Sequence, residues 1–445
     1  MKFDRMRELL LDQAIQGKLV PQLDSEPTVE QIGAAPKEVP FEIPEKWKWV
    51  VLKNVGSVIS GGTPKTSEPS YWGDDIAWVT PADLGKNNAK TISCGARSIS
   101  FDGLSNSSAK KIPAGSVIYS SRAPIGHIAI ANNEITTNQG CKSLAPNFEL
   151  ITTDWAYYSL IARTKDIQHR ATGTTFKEIS GTGFGATQIP LPPLEEQQRI
   201  VAKLEKAFYE IERAEQAYNE LQELKDKLKS KILQKAMEGK LVPQLNGEPA
   251  VEQIGAAPKE VPFEIPAKWK WQKLDNALSF ENGDRGSNYP AKSKLTHDSS
   301  SGHPFVSAGN LSNFKIDSNN LLYLSKEQLS KLRSGHIKNG DCLFCIRGSL
   351  GKFGFANQDG GAIASSLVIL RINDKNILKR SFLFYILQAP FFYKSMQNRK
   401  NGTAQPNLGA KELKEILIPL PPLEEQKRIV AKIEALFEQI DRMQG

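Results

Sequence analysis

The chain has 445 residues, of which 40% are hydrophobic and 24% charged, and it carries a formal net charge of +8. This length predicts two or three domains with their own cores, and the composition is that of an ordinary folded protein. No apolar run approaches the roughly 18–20 residues of a membrane span, and the N-terminal segment lacks the apolar core of a signal peptide. We therefore expect a cytoplasmic protein without a membrane partner.

Internal repetition organises the chain. A block of 33 residues that begins at Gly17 recurs from Gly239 with 29 positions identical, and a block of 20 that begins at Ile189 recurs from Ile418 with 16 identical. Such repeats should be interpreted before any other pattern, and these predict a fixed frame that holds two unlike inserts. The segments are 1–39 (N-terminal part of a conserved helical region), 40–188 (first insert), 189–261 (central conserved region with a long helix), 262–417 (second insert) and 418–445 (C-terminal conserved helix).

Both inserts are predicted to be α+β domains, because short apolar runs alternate with segments rich in Gly, Ser, Asn and Thr. Helices are expected over Asp154–Lys165 and Lys379–Gln388. The predicted strands are Val50–Ser60, Ser116–Ser121 and His127–Ala131 in the first insert, and Asp341–Ile346, Lys352–Ala356 and Ser366–Leu370 in the second.

A long helix is predicted over 193–238. Pro193 suits the first helical position, and two glutamates follow at the positive end of the helix dipole. Apolar side chains from Leu204 to Leu228 keep mostly heptad-like spacing, and Gly239 is a natural stop. At 1.5 Å per residue the helix would be roughly 65–70 Å long, and its single apolar stripe requires a partner helix.

The two ends of the chain offer that partner in two pieces. Residues 429–445 align with 200–216, and residues 1–16 align with 223–238. The sequence is therefore a circular repeat whose two chain ends fall within one helix. We expect the split helix to pack antiparallel to the long one in a coiled-coil-like pair, with the chain ends close together and the halves related by a pseudo-twofold axis. The alternative is that both ends fray independently.

Cys342 and Cys345 form a CxxC pair, and the other cysteines are Cys94 and Cys141. Zinc needs four ligands, and the sequence has no second CxxC and no HxxxH pair. The pair lies inside DCLFCIRG, which has the pattern of a buried strand. We expect both cysteines to be small buried hydrophobic residues, with a metal or redox role as the alternative.

The positive charge is concentrated in the inserts. The second insert, 262–417, contains 22 Lys and Arg against 12 acidic residues, and the first, 40–188, contains 15 against 12. Because phosphate neutralisation dominates nonspecific affinity, this distribution favours a nucleic acid partner. A basic surface that serves only solubility is the alternative.

Residues that could contact DNA cluster in the loops of the inserts. Arg122 and Arg347 take matching places in the hairpins 115–131 and 340–356, where an arginine could reach phosphate or a guanine edge. Asparagine and glutamine in neighbouring loops could pair with adenine. Surface arginines and turn-forming residues are the alternative explanation. The candidates are Thr63, Lys65, Arg122, Asn138, Gln139, Lys142, Thr174, Thr175, Lys177, Arg285, Asn310, Arg347, Lys352, Ser365, Arg399, Lys400, Gln405 and Asn407.

Catalytic motifs are not convincing anywhere in the sequence. The segment GSLGKFG lacks the spacing and the Ser/Thr of a P-loop, and 181–186 matches GxGxxA but leads into TQIPLPP, which cannot open a helix. The NPPY or DPPY segment of an amino-group methyltransferase is absent, and the five histidines are scattered. We therefore expect a binding protein without a metal site or cofactor of its own.

These features resemble the specificity subunits of type I restriction–modification systems. The resemblance rests on IPLPPLEEQ and RIVAK, one residue apart, at 189–203 and 418–432, on the duplicated GKLVPQL, on the long helices and on the strand hairpins. It implies two target recognition domains, each of which reads one half of an asymmetric bipartite site in double-stranded DNA. The paired helices would set the distance between half-sites and dock two methyltransferase subunits.

The resemblance also implies a division of labour in phage defence. This chain would choose the sequence, and its partners would methylate adenine N6 with S-adenosylmethionine. Restriction (translocase) subunits would join the full complex and cleave DNA with ATP and Mg²⁺. Two alternatives remain open: a coiled-coil scaffold or adaptor whose inserts bind protein partners, and an enzyme that acts directly on nucleic acid.

Overall fold

The structure is a computed structural model, and it describes residues 2–173, 177–300, 302–400 and 407–443. The chain divides into two compact units, Met1–Ala217 and Tyr218–Gly445. The boundary falls inside the long helix, α7, which spans Leu194–Met237 and confirms the helix predicted over 193–238. None of the described helices is long and apolar enough to cross a membrane.

The first unit begins and ends with a helix of the frame. Its helices before α7 are α1 (Lys2–Ile15), α2 (Leu52–Val55), α3 (Pro81–Lys86), α4 (Phe101–Ser105), α5 (Thr153–Arg170) and α6 (Gly181–Gly185). Its strands are β1 (Lys48–Val51), β2 (Gly56–Ser60), β3 (Trp72–Val79), β4 (Thr91–Ile92), β5 (Arg97–Ile99), β6 (Val117–Ser120), β7 (Ile128–Ala131), β8 (Thr136–Thr137), β9 (Cys141–Pro146) and β10 (Gln188–Leu191).

The second unit repeats this order of elements. After the second half of α7, its helices are α8 (Leu274–Ala277), α9 (Lys326–Lys331), α10 (Arg380–Gln388), α11 (Pro390–Gln397), α12 (Ala410–Lys414) and α13 (Leu423–Arg442). Its strands are β11 (Lys270–Lys273), β12 (Leu278–Asn282), β13 (His303–Val306), β14 (Leu311–Ser312), β15 (Lys315–Ile316), β16 (Leu322–Leu324), β17 (Cys342–Cys345), β18 (Phe353–Phe355), β19 (Ala362–Ile363), β20 (Leu367–Ile372) and β21 (Leu417–Leu420).

The sheets of the two units have the same layout. The main sheet has the order β2-β9-β6-β7-β4 in the first unit and β12-β20-β17-β18 in the second. A three-stranded sheet accompanies each, with the orders β5-β3-β8 and β16-β13-β19, and β14 pairs with β15 in the second unit. Frame strands pair as β1-β10 and β11-β21. The inserts therefore share one fold, although their sequences share little.

Each unit contains an antiparallel pair of frame helices. In the first unit, Arg7 near the start of α1 forms an ion pair with Glu215 of α7 at 2.6 Å, and the end of α1 lies near the beginning of α7 through Trp47. In the second unit, Lys229 of α7 pairs with Asp441 near the end of α13 at 2.6 Å, and the end of α7 lies near the beginning of α13 through Trp269. Within each unit, this confirms the antiparallel packing that the circular repeat predicts.

The cysteines of the CxxC pair are buried side chains of β17. Cys342 and Cys345 are both 0% exposed, and they belong to two different hydrophobic clusters of the second unit. Burial raises the pKa of the Cys342 thiol. Among the described residues, no group of His, Cys, Asp or Glu has the arrangement of a metal site. The expectation of small buried hydrophobic residues is confirmed.

The single strand predicted over Val50–Ser60 is wrong. The chain forms β1, then the one-turn helix α2, then β2. The reason is that β1 pairs with β10 of the frame, whereas β2 pairs with β9 of the insert, so the chain must change sheets between them. Leu52 and Val55 of the turn are both 0% exposed, which makes the segment look like one continuous apolar strand in sequence.

Candidate nucleic-acid interface

Four segments of the first unit meet at one edge of its main sheet. They are the loop after β2, the loop between β6 and β7, the turn before β9, and residues 177–180 before α6. Backbone hydrogen bonds join them: Ser121 N–H donates to Gly140 O at 2.8 Å, and Ile179 N–H donates to Ser121 O at 2.9 Å. Gly61 approaches so closely that a Cβ atom there would lie 2.0 Å from Asn138 O. The backbone therefore fixes which side chains share this edge.

An ionic cluster occupies the centre of this edge. The guanidinium of Arg122 donates to one oxygen of Glu178, Oε2, through Nε at 3.1 Å and Nη2 at 2.9 Å. The ammonium of Lys142 lies 3.7 Å from the other oxygen, Oε1, and is 7% exposed. Burial lowers the pKa of Lys142, and the negative charge of Glu178 opposes this shift. Glu178 therefore forms ion pairs with two cations that the sequence alone suggested were free for DNA.

Neutral polar side chains lie beside the ionic cluster. The hydroxyl of Thr63 donates to Oε1 of the exposed Gln139, and the backbone oxygen of Gln139 accepts a hydrogen bond from Lys142 Nζ at 2.8 Å. Oδ1 of Asn138 accepts from Gly140 N–H at 3.0 Å. Lys65 and Lys177 are exposed on neighbouring segments. The predicted contacts Thr174 and Thr175 lie outside the described residues.

The second unit builds the same edge with different side chains. Ile346 N–H donates to Ser366 O at 3.0 Å and Leu408 N–H to Ile346 O at 2.9 Å, as Ser121 and Ile179 do in the first unit. Register therefore matches positions across the two units. The pairs are Thr63 with Arg285, Arg122 with Arg347, Gln139 with Ser365, Lys142 with Val368, and Glu178 with Asn407.

Two arginines converge at the edge of the second unit. Arg347 Nε donates to Oδ1 of Asn407 at 3.2 Å, and Arg285 Nη2 donates to Ser365 O at 3.3 Å. Burial, and then the positive charge of Arg347, lower the pKa of Arg285. Both side chains belong to exposed residues, and within the described parts of the chain neither forms an ion pair. This edge therefore presents hydrogen-bond donors with uncompensated positive charge.

The remaining candidates of the second unit are dispersed. Lys352 and Lys400 are exposed, and Arg399 Nη1 donates to Ser395 O at 3.3 Å at the end of α11. Asn310 is 7% exposed, and its Oδ1 accepts hydrogen bonds from the backbone and hydroxyl of Ser307 in a capping box. Such a position supports a structural role for Asn310. Gln405 lies outside the described residues.

Two acidic residues contribute to these edges that the sequence did not identify as candidates. Glu178 faces Arg122, and Asp284, buried and next to Arg285, accepts hydrogen bonds from the backbone N–H groups of Arg333 and Gly286. The hydrogen bond from Arg333 is the largest cause that lowers the pKa of Asp284. Asp284 thereby fixes the loop that carries Arg285. Glu178 takes the same register position as Asn407 of the second unit. This correspondence becomes visible only when the two edges are compared residue by residue.

Comparison with known proteins agrees with this duplicated architecture. The family described as type I restriction modification DNA specificity domain matches twice, over residues 44–223 and 269–445. The chain belongs to this type I specificity family. The family resemblance predicted from the duplicated motifs is thereby confirmed, and each match contains one insert together with flanking parts of the frame.

Individual members of the type I specificity family align over most of the chain. The MjaIX specificity subunit of Methanocaldococcus jannaschii is 30% identical over 412 residues, covering 90% of this chain and 88% of that protein. The EcoBI specificity subunit of Escherichia coli is 22% identical, covering 91% and 82%. Both alignments span the two inserts and the long helix.

Solved structures share the fold. A chain from a study titled as the complex assembly and conformational transition of the type I R-M system has a TM-score of 0.65 at 24% identity, covering 91% of this chain and 93% of that chain. The HsdS subunit from Thermoanaerobacter tengcongensis has a TM-score of 0.54 at 22% identity, covering 92% and 94%. The predicted fold class, two α+β domains with long helices between them, is confirmed.

Proposed function

We propose that this chain is the DNA specificity subunit of a type I restriction–modification system and recognises an asymmetric, bipartite site in double-stranded DNA. One observation carries the proposal: both inserts build the same four-segment edge, yet the side chains at matching positions differ. A common backbone with unlike side chains suits two related domains that each recognise a different half-site. The predicted segment boundaries, from 1–39 to 418–445, are part of this proposal.

Affinity and selectivity come from different groups in this proposal. Exposed lysines such as Lys65, Lys177, Lys352 and Lys400 contact phosphates, which supplies salt-dependent affinity without sequence information. The side chains at the two edges contact base edges in the grooves. Because Glu178 is paired with both Arg122 and Lys142, the first edge depends more on neutral groups such as Gln139 than the second does.

Catalysis belongs to partner subunits in this proposal. Two methyltransferase subunits dock on the frame helices and modify adenine N6 with S-adenosylmethionine, and restriction subunits use ATP and Mg²⁺ in the full complex. The adenine is flipped out of the duplex into the partner's pocket. A cytoplasmic location follows from these partners. The scaffold alternative lacks support, because the family that matches both inserts is described as a DNA specificity domain.

The decisive experiment exchanges residues 272–417 for the same region of a relative and sequences the methylated motif of a host that carries the chain with its partners. We expect one half of the motif to change and the other half to remain. An unchanged motif, or one altered in both halves, would contradict the assignment of one half-site to each insert. The matched exchange of 50–188 should change the other half.

A further inference from the structure

The two edges differ most in how their matching arginines are held. In the first unit, Glu178 occupies both Nε and Nη2 of Arg122. In the second unit, the matching Arg347 donates through Nε to the neutral oxygen of Asn407, and no other described residue bonds its guanidinium. Among the described residues, the terminal nitrogens of Arg347 therefore have no protein acceptor, whereas part of the Arg122 fork is already used.

A second arginine strengthens the contrast. Arg285 takes the place of Thr63, and the Ser365 carbonyl holds one of its terminal nitrogens. The turn that carries Arg285 is fixed by Asp284, which is buried and bonded to two backbone N–H groups. In the sequence, the stretch that leads to Asn407 and on to Gly409, RKNGTAQPNLG, contains no acidic residue. Two like charges near each other are costly unless a ligand supplies acceptors.

We propose, resting on the function proposed above, that Arg285 and Arg347 contact guanine in the half-site of the second insert and make that half-site dependent on a G·C pair. Guanine presents two acceptors, O6 and N7, in the major groove, whereas adenine and thymine each present one. One arginine fork can bond both guanine acceptors, or two arginines can each bond one of them. Phosphate oxygens also accept from arginine, but a phosphate contact does not require an arginine that neighbouring groups hold in one orientation. The anchoring of both guanidinium groups therefore favours base contact.

The first insert lacks this pair of arginines without a paired carboxylate. Its edge combines the carboxylate of Glu178 with the amide of Gln139 and the hydroxyl of Thr63, all of which include acceptors. Acceptors suit bases that present an amino group, adenine or cytosine, and disfavour a pair of guanine acceptors. The two half-sites should therefore differ in whether they depend on guanine at the corresponding place.

The test uses the specificity chain assembled with its methyltransferase partners and duplexes in which each base pair of the second half-site is replaced in turn. This half-site is the one that changes on exchange of 272–417. The wild-type complex should discriminate against loss of one G·C pair by roughly 5- to 150-fold. Arg347→Ala or Arg285→Ala should abolish discrimination at that pair while the first half-site stays fully selective.

Lys331→Ala provides the control, because it also removes one positive charge from the second unit, at an exposed helical ion pair with Glu327. It should leave the discrimination unchanged. Retained selectivity at the first half-site shows that each variant is folded and assembled, and Arg347→Lys, which keeps the charge without the fork, should also lose selectivity at the G·C pair.

Three outcomes would overturn the inference. One is a second half-site without a G·C dependence. Another is uniform weakening on all duplexes with a shallower salt dependence, which would identify phosphate contacts. In either case the wild-type complex would still recognise a bipartite motif, so the proposed function would stand. A wild-type complex that binds no preferred motif at all would instead overturn both.

Discussion

The indole Nε1 of Trp47 donates a hydrogen bond of 2.9 Å to Oε2 of Glu196 in the core of the first unit. Trp269 and Glu425 form the same bond, also 2.9 Å long, in the second unit. Trp47 lies in the longer repeated block and Glu196 in the shorter one. Each repeated block therefore supplies one partner of the same buried contact in both units.

Removing the donor of this bond should destabilise the first unit. Among the described residues, Trp47→Phe leaves the buried Oε2 of Glu196 with a single long hydrogen bond, from Gln22, and an unsatisfied buried acceptor costs about 1–3 kcal/mol. Trp49→Phe is the matched control, since Trp49 is also buried but its Nε1 lacks an acceptor among the described residues. Urea unfolding should show a clearly larger loss for Trp47→Phe, and equal losses would mean that the hydrogen bond contributes little.

The same carboxyl groups should make stability depend on pH. Burial raises the pKa of Glu196 and of Glu425 above the ordinary value for glutamate. A raised pKa means that the folded state binds protons more tightly than the unfolded chain. The resulting contribution to the free energy of unfolding is complete at pH values below the pKa of the unfolded chain, and it is lost as pH rises through the pKa of the folded state. Compared with wild type, the double variant E196Q/E425Q should lose less stability as pH rises through this range. Thermal unfolding between pH 4 and pH 8 measures the difference, and parallel curves would exclude the effect.

A second duplicated contact involves a buried carboxylate. Arg199 contacts both oxygens of Glu26, whose side chain is 1% exposed, and Arg428 contacts Glu248 in the same way. Arg199→Ala leaves the buried charge of Glu26 without a partner, so it should reduce the free energy of unfolding by about 3 kcal/mol. This is the lower end of the range for broken buried ion pairs, because the side chain of Arg199 is itself 31% exposed.

The control for Arg199 is Arg213→Ala on the same helix. Arg213 pairs with Glu210, but both side chains are more than half exposed, so the change should stay within about 0.5 kcal/mol. Equilibrium unfolding of the two variants side by side checks the contrast. A comparable loss in both would show that helix propensity, rather than the buried pair, determines the result.

Replacement of the glycines that follow the repeated helices should destabilise the folded state. Gly17 and Gly239 both have φ +70°, and a Cβ atom would lie 2.3 Å from Cγ of Pro44 or Pro266. Gly17→Ala should therefore destabilise the first unit by more than about 1 kcal/mol through backbone strain and this clash. Gly247→Ala is the control, because no atom lies within 4 Å of its Cβ position. Thermal unfolding should separate the two, and a stable Gly17→Ala variant would show that Pro44 moves aside.

The sequence predicted the frame well because its signals are local or repeated. The heptad-like spacing and the stop at Gly239 predicted α7 to within one residue at each end. The apolar pattern of DCLFCIRG predicted the buried strand β17. The prediction of a single strand over Val50–Ser60 was wrong, because the change of sheet at α2 depends on pairing partners more than 80 residues away, in β9 and β10.

By itself, the sequence determined the duplication, the helical frame, the α+β class of both inserts and the family. The reason is that periodicity and repeated motifs can be recognised from the order of residues alone. Only the tertiary structure decided which polar side chains share an edge, that Glu178 forms ion pairs with Arg122 and Lys142, and that Arg285 and Arg347 lie on the same edge of the second unit. These relationships join segments tens of residues apart or more. They depend on strand register, which a list of polar loop residues does not contain.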